Sequence, residues 1–167
     1  MKISVATKSQ LEIVRDLAYK IWPSTYGKIL SEVQLDFMLD KFYNLDNLEN
    51  QLINENQVFL LIQENNKYLG FCAYELNCES SNKTKLHKIY VLPETQGKGI
   101  GKILLNEVEK IASENNNTAL FLNVNRHNNA QEFYKKQGFS VIKTIDIKIG
   151  NGYLMEDFVM EKDLKQS

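Results

Sequence analysis

Between Pro93 and Ala112 the chain reads PETQGKGIGKILLNEVEKIA, in which a short loop with three glycines and two lysines, Lys98 and Lys102, runs straight into a helical pattern. Helix N-termini carry unpaired N–H groups and a partial positive charge, so a first turn normally favours Asp, Glu or a Ser/Thr cap. Here Lys98 and Lys102 stand in that turn, and no acid lies between Gln96 and Gly101. A bound anion would cancel both lysines and the dipole. Glycine at 97, 99 and 101 would let it touch the backbone, because any Cβ would hold it away from the amides. The amides that could face it run from Gly97 through Lys98, Gly99, Ile100 and Gly101 to Lys102.

Two common phosphate loops are excluded by spacing. The nucleoside-triphosphate loop needs four residues between its glycines and then Lys-Ser/Thr, whereas Ile103 follows Lys102. The dinucleotide fingerprint is G-x-G-x-x-G early in a parallel fold, and this loop is G-x-G-x-G after four expected strands. What remains is Q-x-x-G-x-G at Gln96, Gly99 and Gly101, followed further along by NRHNNAQEFYKKQGF. Tyr134 in that second stretch is a phenol that stays protonated at neutral pH, although Ala130, Phe133, Tyr134 and Gln137 also share the spacing of a core helix face. His87, Tyr90 and Glu75 fall on central strands and could accept a proton, as could water. His87 and His127 stand alone, so no metal site is expected.

These groups need elements to hold them. MKISVAT reads as a strand. Ser9 and Glu12 form a capping box before the stripe Leu11, Val14, Leu17, Ala18, Ile21, which should end near Pro23. Ser31 and Gln34 form a second box before Leu35, Met38, Leu39 and Phe42, and a short helix follows over Asp46 to Asn54. Val58 to about Leu76 reads as a hairpin around Asn65-Asn66, TKLHKIYVL as the fourth strand and TALFLNV as the fifth. The helix AQEFYKKQ stops at Gly138, and two strands close the chain around the turn GNG. The order β-α-α-(α)-β-β-β-α-β-α-β-β is a mixed-sheet α/β domain, expected to occupy residues 1–167 as one unit.

Composition narrows the classes further. The formal net charge of -1 gives no general attraction to nucleic acid or an anionic membrane. No apolar run approaches the ~18 residues of a membrane span, and the start lacks a signal-peptide core, so a cytoplasmic location is expected. Cys72 and Cys78, placed on one strand, would lie roughly 20 Å apart and remain free thiols, filling space rather than acting as nucleophiles.

The loop at Gln96–Gly101 and the stretch Asn128, Ala130, Phe133, Tyr134, Gly138, Phe139 together resemble the GCN5-related N-acetyltransferase (GNAT) family, with Ala130 displaced by one position from the commonest spacing. The resemblance implies a GNAT fold of about seven strands, with a splayed central pair and about four flanking helices. It also implies acetyl-CoA as cosubstrate and no metal. The pyrophosphate would lie on the 96–102 loop and the pantetheine arm along Ile89, Tyr90 and Val91. The N–H of Val91 or Leu92 would polarise the thioester carbonyl, Asn128 would belong to the cofactor site, and Tyr134 would be the general acid for direct attack by an amine. Relatives often have an acid near the start of the fourth strand, where this chain has Lys85.

The acceptor is expected to be a small-molecule primary amine, with a homodimer left open. Trp22, Tyr26, Phe42 and Tyr43 beside Glu32, Asp36 and Asp40 could bind a polycation, or the acids could form a solvated helix face. That region and the tail GNGYLMEDFVMEKDL are similar to the bacterial spermine/spermidine N-acetyltransferase subgroup. A protein N-terminal or lysine acetyltransferase and a non-catalytic CoA-binding module are the alternatives.

Overall fold

The computed structural model describes residues 1–164. Two apolar runs form its centre, in strands β2 (Val58–Glu64) and β3 (Lys67–Glu75). Successive strand residues point to opposite faces, so a continuous apolar run needs cover on both sides. Phe59, Leu61, Phe71 and Ala73 face one core, and Leu60, Ile62, Cys72 and Tyr74 face the other. The first core is closed by helices α1 (Leu11–Tyr26), α2 (Glu32–Tyr43) and α3 (Leu45–Asn54). The second is closed by α4 (Ile100–Glu114) and the short α5 (Ala130–Lys136).

The sheet adds β1 (Lys2–Val5), β4 (Lys83–Val91), β5 (Ala119–Asn125), β6 (Ser140–Gly150) and β7 (Tyr153–Asp163) in the order β1-β2-β3-β4-β5-β7-β6. This is the mixed α/β architecture expected, with five α-helices rather than four. All neighbours are antiparallel except β4 and β5, which run parallel over four residue pairs, Lys83↔Ala119 to Leu86↔Leu122. Beyond Leu122, β5 follows β7, with Asn123 opposite Val159, while β4 follows β3, with Ile89 opposite Cys72. The two central strands therefore part, which opens a cleft in the middle of the sheet.

Local chemistry explains most boundaries. Asn65 and Asn66 both take positive φ, 52° and 63°, as the two-residue hairpin turn requires, and Asn151-Gly152 does the same between β6 and β7 at 53° and 75°. Ser31 caps α2 by accepting the N–H of Gln34 at 3.1 Å. The expected box at Ser9 and Glu12 is displaced. Gln10 accepts the Thr7 N–H at 2.9 Å, which starts a short 3₁₀ turn over Lys8–Gln10 that feeds α1.

Two further expectations are corrected. Helix α1 does not end near Pro23 but continues through it to Tyr26. A proline costs the helix one bond, yet Trp22 and Tyr26 on either side are buried against the first core and hold the last turn in place. Cys78 does not share a strand with Cys72. β3 stops at Glu75, and left-handed Asn77 and Glu79 (φ 52° and 55°) turn the chain into a 3₁₀ segment, Cys78–Ser80. Both thiols are buried and free, and burial raises both, Cys78 to about 11, which leaves them unreactive at neutral pH.

Candidate active site

The gap between β4 and β5 opens into a cleft of about 1320 Å³ that runs from the glycine loop to the C-terminal end of α1. Of the residues singled out from sequence, Ile89, Tyr90, Val91, Gln96, Gly97, Gly99, Gly101, Lys102, Asn128 and Tyr134 line it. Lys98 and Ile100 do not. Lys98 is exposed and its N–H is spent on the Thr95 carbonyl at 3.2 Å, while the Ile100 side chain is 2% exposed and packs into the second core. The contribution left to Ile100 is its backbone amide.

The loop has the form of an anion cradle. Gly97 and Gly99 take φ of 84° and 77°, a region L side chains rarely adopt, and a Cβ built at either would meet nothing within 4 Å. Gly99 is the N-cap of α4 and offers no side chain to cap it. Its carbonyl accepts the N–H of Ile103 at 3.1 Å, so the amides of Ile100, Gly101 and Lys102 precede the first helical bond and are free for a ligand. The first turn of α4 holds no acid, in keeping with a site that must not repel an anion.

The opened edge of β4 supplies a second set of backbone groups. The Leu92 N–H donates to the Leu69 carbonyl at 2.8 Å. Alternate amides of a strand point to opposite sides, so those of Tyr90 and Leu92 belong to β3, whereas those of Ile89 and Val91 point across the gap. Leu92 is thereby removed as a donor to a thioester carbonyl, and Val91 remains.

Tyr134 lies on α5 with 7% exposure, packed edge-on to Phe133 and Phe139 at ring-centroid distances of 5.3 and 5.7 Å. Burial raises its phenol well above the usual tyrosine range, so it is a proton donor at any working pH. The side-chain carbonyl of Asn128 accepts the Ala130 N–H at 2.9 Å, which fixes the start of α5 and hence the height of Tyr134 in the cleft.

On the opposite wall the polar groups come from the acceptor-side face of the sheet. Ala73 pairs with Lys88 and Tyr74 with Leu86, so His87 is the extra residue of a β-bulge. The bulge turns its ring toward Glu75, where Nε2 lies 2.9 Å from Oε1. Burial first, and then Lys85 and Lys88, push the imidazole down to about 3. The ring is therefore neutral at pH 7, donates Nε2–H to Glu75 and keeps Nδ1 as an acceptor. The neighbouring Lys88 points its ammonium at Gln51 Oε1 (2.7 Å) and Gln57 Oε1 (2.8 Å) above the Phe59 ring, and burial lowers it to about 7.

The His87 shift has a testable consequence. The unfolded chain takes up this proton near pH 6.5 and the folded chain only near 3, so stability contributed by the neutral ring is present above 6.5 and is lost as pH falls through that window. Replacing His87 by Gln should flatten the stability profile there by up to about 1.4 kcal/mol per pH unit. Urea unfolding of both proteins between pH 3.5 and 6.5 checks it, and parallel profiles would contradict the buried neutral state.

The structure also brings in residues that the sequence did not single out in these roles. The extension of α1 past Pro23 carries Tyr26 to Tyr90, with hydroxyl oxygens 2.9 Å apart. These two phenols form the aromatic end of the cleft, and Trp22 packs against both from the core. Asp157 on β7 is 2% exposed and its charge is felt at the Tyr26 phenol, although it does not line the cleft; nothing in the local sequence of β7 marks it out. The acidic stripe takes the second of the two readings open to it, a solvated helix face. Glu32, Asp36 and Asp40 are exposed on the outer side of α2 and none lines the cleft, because Leu35, Met38 and Leu39 claim the inner face. Among the described residues no group of His, Cys, Asp and Glu could hold a metal ion, and no helix is long and apolar enough to cross a membrane.

A parted pair of parallel strands with an anion cradle at one end and a buried phenol beside the gap defines an acyl-CoA-type transferase site. The model of the Acetyltransferase (GNAT) domain matches residues 28–162, and the chain belongs to that family. It is an N-acetyltransferase, and acetyl-CoA is its donor. The chain is 32% identical, over 91% of its length and 90% of the relative's, to the spermidine N(1)-acetyltransferase of Thermoplasma acidophilum. A crystal structure of a PaiA N-acetyltransferase from the same organism in complex with coenzyme A superposes with a TM-score of 0.79 at 29% identity, covering 98% of this chain and 99% of that one. The chain is also 32% identical to the ribosomal protein bS18-alanine N-acetyltransferase of Haemophilus influenzae, over 53% of its own length and 58% of that protein's.

Proposed function

We propose that the protein moves the acetyl group of acetyl-CoA to a primary amine of a small molecule, with a polyamine such as spermidine or spermine as acceptor, in a cytoplasmic setting that suits its two free thiols. The observation that carries the reading is the continuity of the cleft, from the cradle at Gly97, Gly99, Gly101 and Lys102, through the β4–β5 gap, to the aromatic end at Tyr26 and Tyr90. The polyamine is supported by the relative from Thermoplasma, which matches along nearly the whole chain, whereas the peptide-modifying relative matches little more than half of it.

The residues fit the donor. The amides of Ile100, Gly101 and Lys102, with the Lys102 charge, hold its pyrophosphate, and the free backbone edge at Ile89 and Val91 holds its pantetheine arm. Acetyl-CoA supplies an acetyl group activated as a thioester. The Val91 N–H is placed to polarise its carbonyl, and Tyr134 to give a proton to the departing sulfur. The amine must be unprotonated when it attacks, and burial of the cleft walls favours that neutral form; the C–N bond forms as the C–S bond breaks, and the proton then lost by the nitrogen returns through water to the phenol that protonated the sulfur.

A panel of spermidine, spermine, a monoamine of matched length, an aminoglycoside, an amino acid and a peptide, read by release of free thiol, tests the acceptor class. Polyamines should give a kcat/KM at least about tenfold above that of the monoamine, the worth of roughly 1.4 kcal/mol of differential binding. Preference for the peptide would replace the polyamine reading.

A further inference from the structure

We propose that Asp157 is the acceptor-binding carboxylate of this enzyme, holding an ammonium group of the incoming amine. The inference rests on the reading of the acceptor as an amine.

Asp157 occupies the middle of β7, paired with Asn125 of β5 on one side and Ile145 of β6 on the other. Its side chain shares the sheet face of Tyr153 and Met155, which pack against the core of α1–α3, so it points to the acceptor side of the sheet. It is 2% exposed, and Oδ2 has no hydrogen-bond partner. Buried carboxylates are as a rule paired or hydrogen-bonded, because desolvation of an unpaired charge is costly. Asp157 does not itself line the cleft, but its hydrogen-bond neighbour Asn123 does, and an orphan oxygen one layer behind a substrate cleft points to a partner that arrives with the substrate.

The surroundings agree. Asn123 and Tyr26 line the cleft and couple to Asp157: burial raises the Asp157 carboxyl, against the attraction of Arg126 and Lys85 and a side-chain hydrogen bond from Asn123, and the Tyr26 phenol, raised mainly by its own burial, also feels the carboxylate charge. Arg126 attracts Asp157 but is committed elsewhere, its Nη2 to the Asp146 carboxylate and to the Ile145 carbonyl, while its Nε is itself buried without a partner. Glu75, the other carboxylate behind the acceptor wall, is taken up by His87. The charged side chains that do line the cleft, Lys28, Lys88 and Lys102, would repel an ammonium. Asp157 is the group positioned to offset them. An ammonium seated against Oδ2 would lie next to the Tyr26–Tyr90 pair, with the cleft leading from there to the free edge of β4.

Asp157→Asn keeps the shape and removes the charge. With acetyl-CoA saturating, the KM for the best polyamine should rise at least tenfold, kcat at saturating amine should stay within about threefold, and the KM for acetyl-CoA should not change. Asp157→Glu should recover part of the amine affinity. A carboxylate needed only for packing would lower the melting temperature and disturb both substrates alike. If the Asn variant does not fold, the Glu variant carries the test, because moving the charge by one methylene should raise the amine KM while sparing that of acetyl-CoA. An unchanged amine KM in a folded variant, or a fall in kcat alone, overturns the role of Asp157 and leaves the amine-acceptor reading intact. Failure of the wild-type enzyme to acetylate any amine in the panel overturns that reading, and the role of Asp157 with it.

Discussion

Tyr134→Phe should bind acetyl-CoA as the wild type does and turn over about 10²- to 10⁴-fold more slowly, a loss of roughly 3 to 5 kcal/mol of transition-state stabilisation. The substitution removes one hydroxyl and leaves the ring, so the edge contacts with Phe133 and Phe139 persist and α5 keeps its place. The large effect follows from where the phenol sits. It lines the gap through which the thioester must lie, and its burial keeps the proton on oxygen while a thiolate, itself basic enough to need a donor, departs. The direction of the pKa shift also fixes the pH profile. Because the phenol is raised, the wild-type kcat should show no alkaline limb from this group below pH 10, and a limb above that value should be absent in the variant. Steady-state rates from pH 7 to 10.5, with calorimetric binding of acetyl-CoA and melting temperature as controls, decide the matter. Wild-type kcat in the variant, with chemistry rate-limiting, would reduce Tyr134 to a packing residue.

The second large effect belongs to the glycine loop, and two glycines separate folding from binding. At Gly99 a valine is opposed twice. Its φ of 77° strains any L side chain by about 1 to 3 kcal/mol, and a Cβ would fill open space that the proposed function assigns to the pyrophosphate. Gly101 is different. It lies inside the first turn of α4, where the nearest atom to an added Cβ is Phe133 Cζ at 3.7 Å, an ordinary contact. Gly101→Ala should therefore fold at least as well as the wild type, since alanine is the better helix former by up to about 1 kcal/mol. It should nevertheless weaken acetyl-CoA by tenfold or more, about 1.4 kcal/mol, by holding the phosphates off the amides. Calorimetry on the folded Gly101→Ala protein gives the clean answer. Unchanged affinity there would move the pyrophosphate away from this loop.

The parts of this protein legible in the sequence are those set by local chemistry. Glycines where φ is positive, the asparagines of the 65–66 turn, the Ser31 cap and the alternation of apolar residues all act within a few residues of themselves, so the element order and the backbone form of the glycine loop at 97–102 could be read directly. Tyr134 was less legible, because its helical spacing alone favoured a core aromatic, and only the resemblance to the GNAT family pointed to the role proposed for it.

What only the tertiary structure decided are the relations between distant segments. The parting of β4 from β5 after Leu86 and Leu122 depends on which partner each strand follows, and no window of sequence holds that choice. The bulge that turns His87 onto Glu75 is a register event between two strands. The survival of α1 beyond Pro23 was decided by the burial of Trp22 and Tyr26, which outweighed a local helix breaker and brought Tyr26 to Tyr90 across 64 residues of chain. The acids of α2 left two readings open for the converse reason: their helical spacing shows that they share a face, but packing of Leu35, Met38 and Leu39 determines that the face looks to solvent. Asp157 gave no signal at all. An acid in a strand reads as solvent-facing until the fold buries it, and its unmatched oxygen exists only because β7 is enclosed between β5 and β6.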